Sequence, residues 1–268
     1  MAGQILGDRY EVQQQLGKQS GRWTLLAQDL TTEQQVVIKV LFMDDDLNPE
    51  DLRLFEREVE VLKSLSHPCI PPYLNYFEQE LPMSRVIALV QAFVPGKSLQ
   101  HHLNRCRTFT EADARQFAMV MLKILQYLHS HNPPVIHRDI KPSSIVMYDR
   151  RPHLVDFGAV KLKNSQESSA FTMVGTYGYI PPEQFSGRAV LASDLYGLGA
   201  TLIAMLTGKD PNSLPRKNGQ FDLDAVVDLS PDLVDWLQWM TESSLDRRLQ
   251  SVAEALQVLE ARKTRRLL

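Results

Sequence analysis

Two short stretches in the middle of the chain carry charged residues of types that can do chemistry. Residues 137–144 read His-Arg-Asp-Ile-Lys-Pro-Ser-Ser, and residues 156–158 read Asp-Phe-Gly. The carboxylates of Asp139 and Asp156 can accept a proton or bind a hard divalent cation. Either stretch alone also suits a simple turn in which an aspartate caps its own backbone. What accompanies these residues elsewhere in the chain decides between the two explanations.

Further short motifs occur in a fixed order on both sides of these two stretches. They are Val36-Val37-Ile38-Lys39, Arg57-Glu58, Pro181-Pro182-Glu183 and Arg248. Together with the two central stretches, they resemble the ordered motifs of eukaryotic-type serine/threonine protein kinases. The sequences at residues 175–184 and 193–200 are most similar to the cyanobacterial branch of the bacterial members. So many matches in order favour the functional explanation over unrelated turns.

The resemblance implies transfer of the γ-phosphoryl group of ATP to protein hydroxyls, with five residues carrying the chemistry. Phosphoryl transfer depends on positioning and charge neutralisation more than on covalent catalysis. Lys39 would contact the α- and β-phosphates, held by an ion pair with Glu58. Asp139 would orient and deprotonate the acceptor hydroxyl, Lys141 would stabilise charge on the transferring group, and Asp156 would bind Mg²⁺. Apolar neighbours on both sides of Lys39 argue against a merely solvated strand lysine.

The resemblance also implies where ATP would bind. Adenine would lie against the carbonyl of Ala92 and the amide of Val94, with Gln91 at the back of the pocket. The residues expected to bind the nucleotide are Leu16, Gly17, Gly21, Ala27, Lys39, Gln91, Ala92, Val94 and Ser144. The expected metal ligands are Asp156 and Ser144. ATP and Mg²⁺, or Mn²⁺ in its place, are the expected cofactors.

Two departures from the family pattern fall in this nucleotide site. The glycine loop reads Leu16-Gly-Lys-Gln-Ser-Gly-Arg-Trp, so that Gln19 and Arg22 stand where the family has its later glycines. Bulkier side chains there would weaken ATP binding or change the pose of the loop, and Arg22 could itself contact a phosphate. Ser144 occupies the position of an asparagine that binds a second Mg²⁺, which predicts weaker metal occupancy and slower turnover.

The segment between Asp156 and Glu183 is expected to be an activation loop. Its candidate phosphorylation sites are Ser165, Ser168, Ser169 and Thr172, with Thr172 preferred. Arg138 is suited to pair with a phosphate on that loop. A plain polar loop without regulation is the alternative.

Three structural roles follow from the same resemblance. Thr176 is expected to hydrogen-bond near the catalytic residues and to favour serine or threonine over tyrosine as the acceptor. Glu183 and Arg248 would form a buried ion pair that anchors the end of the activation segment. His137 and Phe157 would pack in the core.

Hydrophobic periodicity and capping residues predict the elements that position these side chains. Strands are expected at residues 10–16, 23–28, 35–41, 73–77 and 85–93. Helices are expected to begin at Pro49, after the cap Asn48, and after caps at Thr110, Ser193, Ser230 and Ser251, the last with Glu254 in a capping box. The apolar residues 195–206 are too few to cross a bilayer and predict a buried helix.

The sequence therefore predicts an α+β, protein kinase-like two-lobed fold in a single domain of residues 1–268. The small β-rich N-lobe would span about residues 1–93, the hinge about 92–96 and the larger helical C-lobe about 97–262.

Composition and charge narrow the class of partner. With 44% hydrophobic and 23% charged residues, the chain falls in the ordinary globular range. A net charge of -3 and a pI near 6.2 give no overall basic field, so nucleic acid is not expected as a partner. Two cysteines outside any ligand pattern and a start unlike a secretory signal predict a cytoplasmic protein without membrane contact. Protein substrates are the expected partners, and the sequence indicates no oligomeric state.

Two other functions fit parts of the pattern. The altered glycine loop and Ser144 also suit a pseudokinase that binds nucleotide weakly and acts as a scaffold. Retention of Lys39, Asp139 and Asp156 favours catalysis, because these groups supply most of the electrostatic stabilisation. A small-molecule kinase is disfavoured by the peptide platform that residues 175–183 resemble.

Overall fold

The structure is a computed structural model that describes residues 2–19, 21–44, 47–82, 84–105, 108–163 and 176–262. The chain divides into two compact units, Met1–Pro95 and Gly96–Leu268. Sheet dominates the first unit and helix dominates the second, which confirms the predicted α+β class. The boundary between the units falls at Pro95-Gly96, within the residues where the sequence predicts a hinge.

The N-terminal unit is an antiparallel sheet with one helix. Its elements are β1 (Ile5–Leu6), β2 (Tyr10–Gln19), β3 (Arg22–Asp29), β4 (Gln35–Met43), α1 (Pro49–Ser64), β5 (Tyr73–Leu81) and β6 (Ser84–Ala92). The strand order is β1-β2-β3-β4-β6-β5. Alternate residues of β3, β4 and β6 bury one face of the sheet in a common core with β1 and β2. All five predicted strands are present, while the two-residue β1 was too short to show any periodicity.

Helix α1 begins where the sequence predicts. The side chain of Asn48 accepts a hydrogen bond from the backbone N–H of Glu50 at 3.0 Å, and Pro49 occupies the first turn. The residues of α1 that are buried include Leu54, Phe55, Glu58, Val59, Val61 and Leu62. Glu58 is the one charged member of that buried face, which makes it a candidate for a paired charge.

The C-terminal unit is built mainly from helices, with short strands between them. Its elements are β7 (Lys97–Ser98), α2 (Leu99–Asn104), α3 (Glu111–His129), β8 (Val135–Ile136), β9 (Ile145–Tyr148), β10 (Arg151–Leu154), β11 (Lys161–Leu162), α4 (Leu191–Thr207), β12 (Arg216–Lys217), β13 (Gln220–Phe221), α5 (Pro231–Met240) and α6 (Val252–Ala261). Strands β10, β9 and β7 form one sheet, and β11–β8 and β12–β13 form two ribbons. Two of the 3₁₀ turns, Pro142–Ser144 and Pro182–Ser186, lie beside the predicted catalytic residues.

Helix α4 is buried along most of its length, as the apolar segment predicts. The prediction that Ser193 caps this helix is wrong, because α4 begins two residues earlier, at Leu191. The hydroxyl of Ser193 instead accepts from Val190 N at 3.0 Å and donates to Glu183 Oε1 at 2.7 Å. No helix within the described residues combines the length and the apolar composition that crossing a bilayer requires.

The other three predicted caps in this unit lie at the N-cap positions of their helices. Thr110 Oγ1 accepts from Asp113 N at 3.2 Å at the start of α3, whereas Ser230 precedes α5 without a side-chain capping hydrogen bond. Ser251 Oγ accepts from Glu254 N at 3.2 Å. The carboxylate of Glu254 accepts from Gln250 N rather than from Ser251 N, so the reciprocal bond lies one residue earlier than in the capping box that the sequence predicts.

Candidate active site

The loop that follows β8 holds Asp139 and Lys141 side by side. Lys141 Nζ lies 2.6 Å from Asp139 Oδ2 and donates to Thr176 Oγ1 at 2.6 Å. The hydrogen bond expected of Thr176 is therefore present. Asp139 Oδ1 is buried and has no hydrogen-bond partner among the described residues. That oxygen can accept a hydrogen bond, and then a proton, from an incoming hydroxyl.

Asp194 in α4 fixes the backbone of this loop. Its Oδ2 accepts from His137 N at 2.9 Å, and its Oδ1 accepts from Arg138 N at 2.8 Å. Its Oδ2 also lies 2.9 Å from Nε2 of His129 in α3. Asp194 is only 1% exposed, and a buried carboxylate is stabilised only when such donors surround it. The buried helix α4 thus holds the backbone of the loop in place through Asp194.

Two further contacts fix Arg138, whose backbone has a φ of 69°. Its carbonyl accepts from Gln184 Nε2 at 2.7 Å, and its Nε donates to the carbonyl of Ala159 at 2.6 Å. A positive φ at a residue with a side chain persists only where the surroundings fix it. On the α4 side the approach is close, because a Cβ atom on Gly197 would lie 3.0 Å from the carbonyl oxygen of Ile140.

Ser144 and Asp156 are brought together through their backbones. Val155 N, next to Asp156, donates to the carbonyl of Ser144 at 3.0 Å. Asp156 Oδ1 accepts from Gly158 N at 3.3 Å, so the Asp-Phe-Gly stretch does form a turn as well as presenting a carboxylate. Phe157 is fully buried against His137, with ring centroids 5.0 Å apart, as expected of core residues.

The residues at this position fit a divalent cation. Ser144 is fully buried, and its Oγ has no hydrogen-bond partner among the described residues. A buried oxygen left in that state is suited to a hard cation or to a water bound to one. The described residues include no group of three or more His, Cys, Asp or Glu side chains arranged for a metal. Magnesium at phosphate-transfer sites usually takes one or two carboxylates together with phosphates and waters.

Lys39 and Glu58 form the ion pair that the resemblance implies. Lys39 Nζ lies 2.5 Å from Glu58 Oε1, and the two side chains are 14% and 2% exposed. Lys39 comes from the centre of β4 and Glu58 from the buried face of α1. The pair is charge-assisted and mostly shielded from water, so it holds the ammonium group in a defined place within the N-terminal unit.

The glycine loop is the hairpin between β2 and β3, in which Gln19 pairs with Arg22. Gly21 has a φ of 67° and supplies the left-handed turn, and Gly17 lies opposite Thr24. Leu16 lies where the register shifts between Gln15 and Gly17, and it is 47% exposed. Arg22 Nη2 donates to the backbone carbonyl of Asp51 at 2.5 Å.

The predicted adenine residues lie on the strands of the same unit. Ala27 is fully buried and pairs with Val36. Gln91 and Ala92 are the last two residues of β6. Gln91 is 3% exposed, and Ala92 N donates to the carbonyl of Pro72 at 3.1 Å. Val94 lies in the connection that follows. Their predicted contacts with adenine stay predictions.

The ion pair predicted between Glu183 and Arg248 is present and buried. Arg248 Nη1 and Nη2 lie 2.6 and 2.9 Å from the two carboxylate oxygens of Glu183. Arg248 is 2% exposed, and its Nε also donates to the carbonyl of Glu242 at 2.8 Å. Burial raises the pKa of Glu183, but the hydrogen bonds from Arg248 and Ser193 outweigh burial and leave that pKa below its ordinary value.

Sequence reasoning missed Asp194, Gln184 and His129, which position the catalytic loop. A signal existed for Asp194, since it is a lone carboxylate in an otherwise uncharged helix from Leu191 to Thr207. Gln184 and His129 have no comparable signal in the sequence. The predicted phosphorylation sites Ser165, Ser168, Ser169 and Thr172, and the glycine at 175, lie outside the described residues.

The sequence of this chain is similar to those of several serine/threonine-protein kinases. Serine/threonine-protein kinase B of Synechocystis sp. is 36% identical to this chain, over 95% of the chain and 47% of that protein. Serine/threonine-protein kinase PknA of Nostoc sp. is 37% identical over 79% of the chain and 39% of its own length. Serine/threonine-protein kinase D of Synechocystis sp. is 33% identical over 95% of the chain and 52% of its own length. The chain thus spans between two fifths and about half of these relatives, which are cyanobacterial as the resemblance predicts.

The sequence model of one family, described as the protein kinase domain, matches residues 10–266. The matched residues include the Lys39–Glu58 pair of the N-terminal unit, and Asp139 and Asp156 of the C-terminal unit. A match over nearly the whole chain, with these ordered residues inside it, means that the chain belongs to the protein kinase domain family.

Proposed function

We propose that this chain is a Mg·ATP-dependent kinase that transfers the γ-phosphoryl group of ATP to serine or threonine hydroxyls of other proteins. The observation that carries this proposal is the geometry around Asp139. One of its oxygens lies 2.6 Å from Lys141 Nζ, and the other is buried without a partner among the described residues. A merely structural loop aspartate would use both oxygens to cap its own backbone. The names of the cyanobacterial relatives support serine or threonine as the acceptor.

In this proposal Asp139 acts as the proton acceptor. Its Oδ1 receives the hydrogen bond of the acceptor hydroxyl, and it takes the proton as the hydroxyl oxygen bonds to the γ-phosphorus. The bond from that phosphorus to the oxygen it shares with the β-phosphate breaks, and ADP leaves. Lys141 neutralises charge on the transferring group. Thr176 keeps Lys141 in place and favours the short serine and threonine side chains over tyrosine.

The remaining groups bind the nucleotide. Lys39, held by Glu58, binds the α- and β-phosphates, and Asp156 holds the divalent cation with Ser144 beside it. Mg²⁺, or Mn²⁺ in its place, offsets the negative charge of the β- and γ-phosphates when it is bound. The backbone at Ala92 and Val94 receives adenine. Lys39 and Asp156 thus divide the charge neutralisation between a fixed ammonium group and a metal ligand.

We extend the proposal to regulation by phosphorylation. Thr172 is the preferred site among the hydroxyls between residues 165 and 172, and Arg138 is the cation that would pair with its phosphate.

Mass spectrometry of the chain after incubation with ATP tests whether these residues are phosphorylated. We expect phosphate within residues 165–172, and none there in the Asp139→Asn variant. Phosphate that is absent from this segment in the active protein would contradict autoactivation. The protein substrates and a cytoplasmic location likewise stay predictions.

The proposal is tested by incubating the chain with γ-labelled ATP, Mg²⁺ and a general protein acceptor, followed by phosphoamino acid analysis. We expect labelled phosphoserine and phosphothreonine that disappear in Asp139→Asn. Labelled phosphotyrosine alone would overturn the acceptor class. ATP binding without transfer, in Mg²⁺ and in Mn²⁺, would favour the pseudokinase alternative, to which the replaced glycines and Ser144 point.

A further inference from the structure

Arg22 links the turn of the β2–β3 hairpin to the beginning of α1. Its Nη2 lies 2.5 Å from the backbone carbonyl oxygen of Asp51 and 3.2 Å from the Oδ1 atom of the same residue. Asp51 belongs to the first turn of α1. The side chains of Arg22 and Asp51 are 21% and 41% exposed. The contact therefore joins two elements at the edge of the N-terminal unit, and one of its two bonds is to backbone.

This contact lies on the same side of the sheet as the Lys39–Glu58 pair. Thr24 is the cross-strand partner of Lys39, and Arg22 is two residues from Thr24, so Arg22 and Lys39 project from one face. Asp51 and Glu58 are seven residues apart, which is two turns or about 10.5 Å along the helix axis. Helix α1 is thus bound to the sheet at two points along one side.

The hairpin turn to which Arg22 belongs is itself fixed. The carbonyl of Gly21 accepts from Phe42 N at 2.9 Å. The ring of Trp23 packs on that of Phe42 at 5.0 Å, and Lys18 Nζ lies 4.9 Å from the centre of the Trp23 ring. The turn is therefore fixed to β4, and Arg22 connects the fixed turn to the first turn of α1. A glycine at this position, as in the family pattern, would have no side chain to make the contact.

From these contacts we infer that Arg22 is a positioning residue: by binding Asp51 it holds the beginning of α1 in place, and so keeps Glu58 where it orients Lys39. The buried residues of α1 and the Lys39–Glu58 pair hold the helix from Leu54 onward, and the contact at Asp51 adds a restraint at its first turn. The inference rests on the proposed function in one respect, namely that Lys39 binds nucleotide phosphates. The competing role is that Arg22 itself contacts a phosphate. The two roles predict opposite effects of replacing Asp51: the tether predicts weaker nucleotide binding, and the phosphate contact predicts tighter binding.

Hydrogen exchange on the full chain without nucleotide tests the tether. The readout is the exchange of amides 53–56, whose helical hydrogen bonds go to the carbonyls of residues 49–52 in the first turn of α1. We expect Arg22→Ala to speed this exchange by roughly 3- to 10-fold, because it removes both bonds to Asp51. Asp51→Lys is expected to act in the same direction, because it replaces the ion pair by repulsion between two cations. The control is Arg53→Ala, whose ion pair with Glu50 at 3.7 Å stays within the helix and is expected to leave exchange unchanged.

Binding of a fluorescent ATP analogue with Mg²⁺ supplies the second readout. We expect both variants to weaken binding by a similar factor of roughly 3 to 10, and the double variant to bind no more weakly than either single variant.

Unchanged exchange in both variants would overturn the tether. Tighter nucleotide binding in Asp51→Lys would do so too, because it would mean that a released Arg22 reaches the phosphates. If Arg22→Ala does not fold, Asp51→Lys decides alone. The exchange result needs no catalysis, so a lack of phosphoryl transfer would count only against the proposed function.

Discussion

At the scale of single residues, Ser144 is the expected metal ligand whose side chain is least suited to that role. Its side chain is fully buried, and its hydroxyl oxygen has no partner within the described part of the chain. Its backbone carbonyl accepts from Val155 N, next to Asp156. Serine is shorter than asparagine by one heavy atom and a branch, so its oxygen reaches a cation less well or only through a water. We therefore expect weak metal occupancy at this position.

Replacing Ser144 by asparagine is expected to strengthen metal binding. Turnover at limiting Mg²⁺ should rise by roughly 3- to 10-fold, because the longer amide oxygen adds a direct ligand. Mn²⁺ binding in the presence of a non-hydrolysable ATP analogue, followed by electron paramagnetic resonance, should show tighter or additional occupancy. The control is Ser143→Asn, at the exposed neighbouring residue. Unchanged metal dependence in Ser144→Asn would show that the hydroxyl does not limit the site.

At the scale of elements, the position of the catalytic loop depends on α4. The carboxylate of Asp194 accepts two backbone N–H groups of the loop, from His137 and Arg138. Asparagine has nearly the same shape but only one acceptor atom, so one buried N–H loses its partner. A shift of about 1 Å at the reacting groups is enough to cost roughly 100-fold in rate.

We therefore expect Asp194→Asn to reduce kcat by roughly 100-fold while the Kd for ATP stays nearly unchanged. Steady-state kinetics and binding of a fluorescent ATP analogue separate the two quantities. Asp210→Asn is a suitable control, because Asp210 caps the 3₁₀ turn Pro211–Ser213 through Asn212 N at 2.8 Å. A variant that binds ATP less well but turns over normally would mean that Asp194 does not position the loop.

At the scale of the whole molecule, the buried Glu183–Arg248 pair is expected to contribute strongly to stability. Arg248→Ala leaves the Glu183 carboxylate buried without its cation, which costs about 3–5 kcal/mol of unfolding free energy. Arg247→Ala is a closely matched control, since the Arg247 side chain is 66% exposed and its ion pair with Glu242 spans 3.2 Å. That change should cost no more than about 1 kcal/mol. Denaturant unfolding of both variants makes the comparison, and equal losses would contradict the account.

The same pair should make stability depend on pH in the acid range. Hydrogen bonds from Arg248 and Ser193 outweigh burial and hold the pKa of Glu183 below its ordinary value of 4.5. The stability that Glu183 contributes is therefore fully present above pH 4.5 and is lost as the pH falls through the lowered pKa of the folded state. Unfolding free energies measured from pH 7 to pH 3 should fall more steeply for the wild type than for Glu183→Gln. Parallel curves would contradict this assignment.

Across the whole chain, the sequence predicts local structure better than long-range contacts. Capping hydrogen bonds at Asn48 and Thr110 are local chemistry and are predicted correctly, and Ser230 holds the predicted N-cap position without such a bond. The prediction for Ser193 is wrong, because its hydroxyl lies inside α4 and donates to Glu183, ten residues away. The Lys39–Glu58 and Glu183–Arg248 pairs are confirmed, because the order of motifs along the chain implies them.

The contacts that position the catalytic loop could not be derived in this way. Asp194 is 57 residues from His137, and Gln184 is 46 residues from Arg138. Only packing of the core places such residues together, and no periodicity in a single sequence records it. The tether from Arg22 to Asp51 was missed for the same reason, and the sequence instead suggested that Arg22 contacts a phosphate.

The central proposal is that Asp139 accepts the proton of the substrate hydroxyl, since one of its oxygens lies beside Lys141 and the other has no partner among the described residues. The most direct test measures two quantities on matched samples of wild type and Asp139→Asn: transfer of phosphate to protein serine and threonine at saturating ATP and Mg²⁺, and the Kd for ATP. We predict a loss of transfer of at least roughly 100-fold in Asp139→Asn with an unchanged Kd. Equal transfer in the two proteins, or none in the wild type while ATP binds, would contradict the claim.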